Sequence, residues 1–458
     1  MGRKKEEIVI QDSPYVIHSK EHALKQSISE GSVQSVAVNL SSSFITPFAL
    51  LIGANSFHVG LLSSFSGFVA PMGELFGSRA MEKYSRKKIV ILEKTMCNLF
   101  WLMIIGLAYL SWKNILSIYL PYLLIILYAG IIFFTGFARP AIFSWMGDIV
   151  KEESKGRYFA NRNRIIGFIG LIVFILGGFA LDYFKTDGLA LIGFSLLFGL
   201  SIIFRSISRV IIRKMFNPRF RVRKGYYFTF KDFVKRYDNY GKFAFYQAAF
   251  YFSFMISAPF FAVYMLEYLE FNYFIFSLVA ISSTIFYLLF SPLTGKFSDK
   301  YGNVKLLYVA GILFPIVPLL WVIFKNPLYL FLIPGIVSGL ANSAFLMGVT
   351  NFTYESVSPQ KRGLCIAYSS VLAGLGVFFG GLLGGFLIQY LPFDFILPIH
   401  AVFILSTLLM IMASLFFLPQ IKDKRNREKL KGFSIDWQHP FKMIDSDIIW
   451  FKNFIHQK

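Results

Sequence analysis

Charge is scarce in these 458 residues: 16% are Asp, Glu, Lys or Arg, and the acids are rarer, 25 against 46 bases. Soluble chains carry about 25% charged and 45–50% apolar residues. Here 56% are hydrophobic and the mean hydropathy is +0.59. No water-soluble core hides that much apolar surface, so lipid is the expected solvent. A soluble enzyme and a disordered chain are thereby excluded. Cysteine is scarce too. Cys97 and Cys365 sit in apolar stretches with no Cys-x-x-Cys pair, which excludes a disulfide-stapled scaffold and leaves the redox compartment open. Nucleotide-cradling glycine loops, a His-Glu-x-x-His pair and paired Cys/His spacings are all lacking. Serines abound in the apolar runs, but no His lies mid-run to serve one as base. No enzymatic activity, cofactor or metal is therefore expected.

What the chain has is long apolar runs. A bilayer core needs about 20 mostly apolar residues per helix. Twelve runs qualify, at 33–54, 58–78, 88–111, 116–146, 160–183, 188–209, 243–267, 273–294, 304–324, 328–352, 363–390 and 395–418. None alternates with period two, so a β-barrel is excluded. Lys and Arg set the orientation. The N-terminus, every second connection and the tail hold 41 of the 46 cations; the other connections hold three, Lys113, Lys185 and Lys325. Lys94 and Arg139 lie inside runs. Both termini are thus expected in the cytoplasm of a multi-pass protein of the cell membrane. The net charge of +21 needs no nucleic-acid partner once it is distributed this way. Expected boundaries are a cytoplasmic segment 1–32, a six-helix bundle 33–212, a basic linker 213–242, a second bundle 243–418 and a cytoplasmic tail 419–458. Basic and aromatic residues alternate in the linker, which suits an anionic leaflet as well as a solvated connection. The tail spaces Phe441, Ile444, Ile448, Phe451 and Ile455 as one face of an interfacial helix.

The two bundles repeat each other. An offset of 207 aligns Val150 with Val357, Gly167 with Gly374, Gly177 and Gly178 with Gly384 and Gly385, and the carboxylates Asp148 and Glu355. The loop after the second run, SRAMEKYSRKK from Ser78, matches that after the eighth, GKFSDKYGNVK from Gly295. Glu82 there meets Asp299, and Ser85 meets Gly302. Two parallel six-helix halves are one transporter architecture. With these motifs the chain resembles the major facilitator superfamily over nearly its whole length. That family's loop signature is Gly-x-Leu-x-Asp-Arg/Lys-x-Gly-Arg-Arg/Lys. Gly295, Asp299, Lys300, Gly302 and Lys305 follow it; in the first half Glu82 and Ser85 depart from it while Arg86 and Lys87 remain. The stretch RPAIFSWMGDIVKEESKGRYF from Arg139 is similar to a prokaryotic subgroup of unassigned substrate.

The resemblance implies an all-α protein of twelve transmembrane helices, a monomer among membrane lipids, moving a small organic solute by alternating access. As a secondary transporter it is active or facilitative. Alternatives on the same fold are a lipid flippase or scramblase and a non-transporting sensor. Fold position marks the first, fourth, seventh and tenth helices as cavity-lining. Their polar side chains are the candidates: Asn39 and Thr46; Tyr128, Thr135 and Arg139; Gln247, Tyr251 and Ser257; Asn342 and Ser343. Each serves equally well as a bond to a neighbouring helix. Glu82, Arg86, Lys87, Asp148, Gly295, Asp299, Lys300, Gly302, Lys305 and Glu355 are the candidate conformational switch, with Glu82 and Asp299 facing helix N-termini of the other half. Arg139 is expected to meet an anionic solute or a carboxylate such as Glu74, which is also the candidate for proton coupling. The fifth run, FILGGFALD, lacks the Gly-Pro pair of drug–proton antiporters in this family.

Overall fold

The computed structural model describes residues 14–150, 155–218, 229–235, 237–357, 359–390 and 397–423. Every regular element among them is helical. In chain order these are α1 (Pro14–Asn39), α2 (Ile45–Leu51), α3 (Ser56–Ala80), α4 (Arg86–Trp112), α5 (Leu120–Ile149), α6 (Lys155–Thr186), α7 (Ala190–Lys214) and α8 (Phe230–Lys235). There follow α9 (Asn239–Met255), α10 (Phe260–Val263), α11 (Tyr273–Tyr301), α12 (Asn303–Ile323), α13 (Pro327–Ser356), α14 (Pro359–Tyr390) and α15 (Pro398–Phe417). Eleven helices among the described residues are long and apolar enough to cross a membrane. The twelfth crossing is α1 with α2, whose polar first half and central break keep it below that apolar limit. Helices satisfy most of the backbone groups internally, as hydrocarbon demands.

Side-chain oxygens start many of these helices. Asn55 accepts from the His58 amide while the His58 ring accepts from the Asn55 amide, a reciprocal cap on α3. Asn272, Asn326 and Asp238 cap α11, α13 and α9. The turn between α11 and α12 is one residue, Gly302, at φ +107°, a backbone that favours glycine. A Cβ there would also lie 2.5 Å from the Asp423 carboxylate, which accepts the Val304 amide. At the matching position Ser85 is extended, at φ −68°, and caps α4 through the Lys88 amide. The longer turn 81–84 makes that possible, and the loop signature loses its glycine where the turn no longer needs one.

The repeat seen in the sequence continues in three dimensions. The first crossing of each half breaks at a serine, Ser41 between α1 and α2, Ser257 between α9 and α10. Ser41 Oγ lies 3.0 Å from Ser201 Oγ on α7, and Ser257 Oγ lies 2.8 Å from Ser406 Oγ on α15. Ser201 Oγ is also 2.8 Å from the carbonyl of Ala37, and Ser406 Oγ 2.7 Å from that of Ser253. Each pair ties a helix break to the last helix of its half, where a freed carbonyl needs a donor. At the basic end, Arg86 donates to Asp148 at 2.6 Å, and the matching Asn303 donates to Glu355 at 2.9 Å.

The first helix corrects the expected boundaries. Residues 14–32 are not a free segment: α1 begins at Pro14 and runs unbroken to Asn39. Hydropathy hides it because its first half is charged, though its Glu30 is paired inside the bundle. Glu30 accepts from Lys94 at 3.0 Å and from Ser208 at 2.8 Å. Arg162 lies 3.8 Å from Glu30, and Arg205 lies 3.9 Å from Glu93. Lys94 and Arg205 are 2% exposed, and Glu93 5%, so this is a buried ionic network across α1, α4, α6 and α7. The linker is also shorter than expected. Residues 213–218 are pinned to the first bundle, since Lys87, Trp145 and Arg86 donate to the carbonyls of Arg213, Phe216 and Pro218. Near the linker's end, Phe233 of α8 packs against Tyr368 of α14. Residues 219–228 and the tail face from Phe441 to Ile455 lie outside the described residues.

Removing one member of a buried ion pair costs more than removing both, because the survivor stays charged without its partner. Lys94→Met should cost about 3 kcal/mol. Adding Glu30→Gln should recover part of that loss. Thermal melts of the detergent-purified variants check the order; equal melting temperatures for the single and double variants would show the pair to be inert.

A candidate solute cavity between the bundles

The halves meet through glycine. In lipid, helices gain no hydrophobic drive toward one another, and small residues that admit close backbone contact supply the attraction. On α14, Gly381 and Gly385 face α3, where a Cβ added at Gly60 would lie 2.5 Å from the Gly381 carbonyl oxygen. One step toward the basic end, Gly374 meets Gly67 in the same way. Gly376, Gly380 and Gly384 turn to α9 inside their own half, against the carbonyls of Ala248, Phe252 and Ile256. Thus α14 carries one glycine row for its own bundle and one for the other. Gly178 of α6 likewise faces the Tyr273 carbonyl of α11, whereas Gly170 and Gly177 pack on Asn39 and Phe44 within the first half. Gly167 faces open space.

Beside Gly178, Asp182 makes a second kind of contact between the halves. Its two carboxylate oxygens accept the backbone amides of Tyr273 at 2.7 Å and Phe274 at 2.8 Å. These are orphan amides at the start of α11, where the helix dipole also favours an anion. Both contacts lie at the end of the molecule that is poor in Lys and Arg. Glu82 and Asp299, expected to cap helices of the opposite half at the basic end, are exposed there. Among the described residues, the carboxylate seen on a helix N-terminus of the other half is Asp182, at the other end of the membrane. Arg86 and Asp148, both in the expected switch set, pair inside the first half. Lys300 lies 5.2 Å from the Tyr301 ring centroid.

On the basic side of the Gly67–Gly374 contact lies a cavity of about 350 Å³. From α3 it takes Ser66, Ala70, Pro71 and Glu74, from α5 Arg139, and from α9 Tyr240, Gln247 and Tyr251. Val349 and Thr353 of α13, with Ile366, Ser369 and Ser370 of α14, complete the polar and apolar walls. Arg139 donates to Glu74 Oε1 at 2.8 Å, with the two side chains 54% and 18% exposed. Gln247 Oε1 accepts from Ser369 at 2.6 Å, which fixes the amide and leaves its Nε2 donors without a partner among the described residues. Three of the sequence candidates, Arg139, Gln247 and Tyr251, therefore meet in one place, and Glu74 joins them.

The other candidates are engaged within their own bundles. Asn39 donates to the Ser35 carbonyl, Thr135 to that of Ile131, and Asn342 to that of Ser338. Ser343 pairs with Thr294, and Ser257 with Ser406. Tyr128 is buried against Trp101, and Thr46 is half-buried next to the first helix break. None of these borders the cavity. Gly295 stands in ordinary contact with the Met347 side chain. Lys305 lies in the first turn of α12, at the basic end. Helix position alone does not tell which candidates meet in this cavity, because a polar group in lipid can satisfy itself locally first. Glu74, Ser369 and Ser370 were missed as lining because α3 and α14, not only the expected four helices, wall the space.

Residues 243–452 match the family model described as Major Facilitator Superfamily. The match covers the second bundle, a little under half of the chain. A comparison with curated proteins finds no significant relative. Among solved structures, a variant of the nucleoside transporter NupG is similar at 16% identity and a TM-score of 0.68, over 87% of this chain and all of that one. A bacterial homologue of the iron transporter ferroportin, inward-facing, gives 16% and 0.65 over 87% of this chain and 98% of its own. A D-xylose–proton symporter gives 13% and 0.65, over 90% and 100%. At such identities these structures establish the fold.

Asp182→Ala should open the cation-poor end. Loss of two charge-assisted bonds to a helix start should weaken closure by about 2 kcal/mol. With Cys97 and Cys365 replaced, a thiol introduced as Ser277→Cys beneath Asp182 should then react with maleimide at least about tenfold faster. An unaltered rate would mean that the glycine contacts alone hold this end.

Proposed function

We propose that this protein carries a small organic solute across the cell membrane by alternating access, with its termini in the cytoplasm. The observation that carries the reading is the asymmetry of the seam. The halves are locked at one end by Gly60, Gly381, Gly385 and the Asp182 cap, while the cavity lies on the side of that lock nearer the basic end. Lys and Arg crowd that basic end, so the positive-inside rule makes it cytoplasmic and the conformation inward-facing. What joins the halves at the lock among the described residues is close van der Waals contact and a capped helix end. Such contacts form or break as units when rigid bundles rock, which is what a two-state seam needs. Each half is stiffened separately, the first by its buried ionic network and the second by aromatic packing such as Phe243 on Phe352.

Alternation is testable without knowing the solute. Spin labels at Phe57 and Tyr390 report the locked end, where those rings now stand 5.7 Å apart. Labels at the exposed Lys83 and Asp299 report the basic end. Introducing Asp182→Ala should lengthen the first distance and shorten the second. Distances that stay fixed, or that change in the same direction, contradict rocking. Uptake of a solute panel by proteoliposomes then separates a transporter from a sensor on the same fold.

A further inference from the structure

We infer that the cavity binds a solute that is itself a zwitterion, with its anionic and cationic groups adjacent, and that Arg139 and Glu74 are the two halves of its receptor. The inference rests on the transport reading only in calling this cavity a solute site. A cation and an anion inside a membrane are costly and need a reason to be there. This chain shows two ways of keeping such pairs. Lys94 and Glu30 are sealed in the first bundle, at 2% and 12% exposure. Arg139 and Glu74 instead open onto the space between the halves, and Arg139 is more than half exposed. A pair serving only to brace α3 against α5 has no need of that exposure, since those helices already meet backbone to backbone at Gly73, Gly77 and Gly136.

The charge balance then selects the ligand. The described lining holds one cation and one anion and is neutral. A purely anionic solute taking Arg139 from Glu74 leaves that carboxylate alone and close to a second negative charge. A purely cationic solute taking Glu74 leaves Arg139 in the same position. Leaving one member of a pair uncompensated is the costly outcome. A solute with both signs replaces one ion pair by two, its carboxylate or phosphate on the Arg139 guanidinium and its ammonium on Glu74. Because those groups now touch at 2.8 Å, the solute charges must lie within a few bonds of each other. The Gln247 amide supplies further donors toward the anionic group, and Ala70, Pro71 and Val377 offer an apolar wall to the remainder. A free amino acid or short peptide meets this description, as does a phosphoethanolamine lipid headgroup. The cavity, at about 350 Å³, is at the small end of small-molecule sites.

The test uses the full-length protein in detergent and three matched probes: phenylalanine, its amide as the cation, and N-acetylphenylalanine as the anion. Calorimetric binding should favour the zwitterion over both by on the order of ten- to a hundredfold. Glu74→Gln and Arg139→Gln should each remove that preference. The exchange Glu74→Arg with Arg139→Glu should restore it, which a folding defect in either single variant would not allow. If Glu74→Gln instead strengthens binding of the anion, the pair is a proton-gated anion site and the inference fails. It fails too if all three probes bind equally or none binds while phosphatidylethanolamine in nanodiscs also leaves the melting temperature unmoved. Stabilisation by phosphatidylethanolamine alone assigns the zwitterion to a lipid, and a fluorescent-lipid flip assay confirms it. Zwitterion binding without uptake into proteoliposomes would keep this inference and overturn transport; uptake of an uncharged solute unaffected by either Gln variant would do the reverse.

Discussion

Lipid gives two helices no hydrophobic reason to meet, and the architecture of this protein follows from what replaces that force. Between the halves it is backbone approaching backbone at glycine, Gly60 against Gly381 and Gly67 against Gly374. Contacts of this kind are short-ranged. They vanish within a small displacement and leave little attraction behind, because no apolar surface is being withdrawn from water. A seam made of them is either closed or open. Had the halves been joined by the ionic network that runs through the first bundle, long-range attraction would have resisted separation throughout the motion.

The internal repeat shows which features the architecture requires. Both halves break their first helix at a serine and tie it to a serine of their last helix. Both place a polar residue at the start of the third helix against a carboxylate near the end of the fourth, Arg86 with Asp148 and Asn303 with Glu355. The second half makes this bond from an uncharged donor, so a hydrogen bond at that corner is what the two share. The features without a counterpart are the ones that differ in purpose. The Glu30–Lys94 network exists in the first half alone among the described residues, and the Arg139–Glu74 pair breaks the symmetry inside the cavity.

Much of this was legible in the residues, and the failures have physical causes. Apolar runs locate all twelve crossings because burial in lipid is read directly from composition. The start of the first helix is misjudged because Glu30 looks solvated until Lys94 is seen opposite it. Pairing across four helices leaves no trace in one helix's hydropathy. The glycines of the eleventh crossing stand out in sequence, but not their division into two rows, since which face of a helix meets which neighbour is a property of the assembled bundles. Asp182 reads as an ordinary helix-end charge; its importance depends on where α11 happens to begin. Arg139 and Glu74 could be paired from sequence because two opposite charges in apolar runs have few other partners.

Exposure, more than pairing distance, separates three kinds of ion pair among the described residues. Arg86 and Asp148 stand 2.6 Å apart with the arginine sealed at 1% and the acid open at 46%. Water or headgroups at the basic end keep such a pair from being dry, and its arginine is held further by the Pro218 carbonyl and Ser144. Lys94 and Glu30 are sealed on both sides, and their further partners Glu93 and Arg162 belong to the same bundle, so the pair is fixed for the life of the fold. Arg139 and Glu74 combine a good hydrogen bond with access from the cavity. Only there does a competing charge have both a route in and two groups to compensate at once. The same pair of residue types is thus an anchor, a core or a receptor according to what is allowed to reach it.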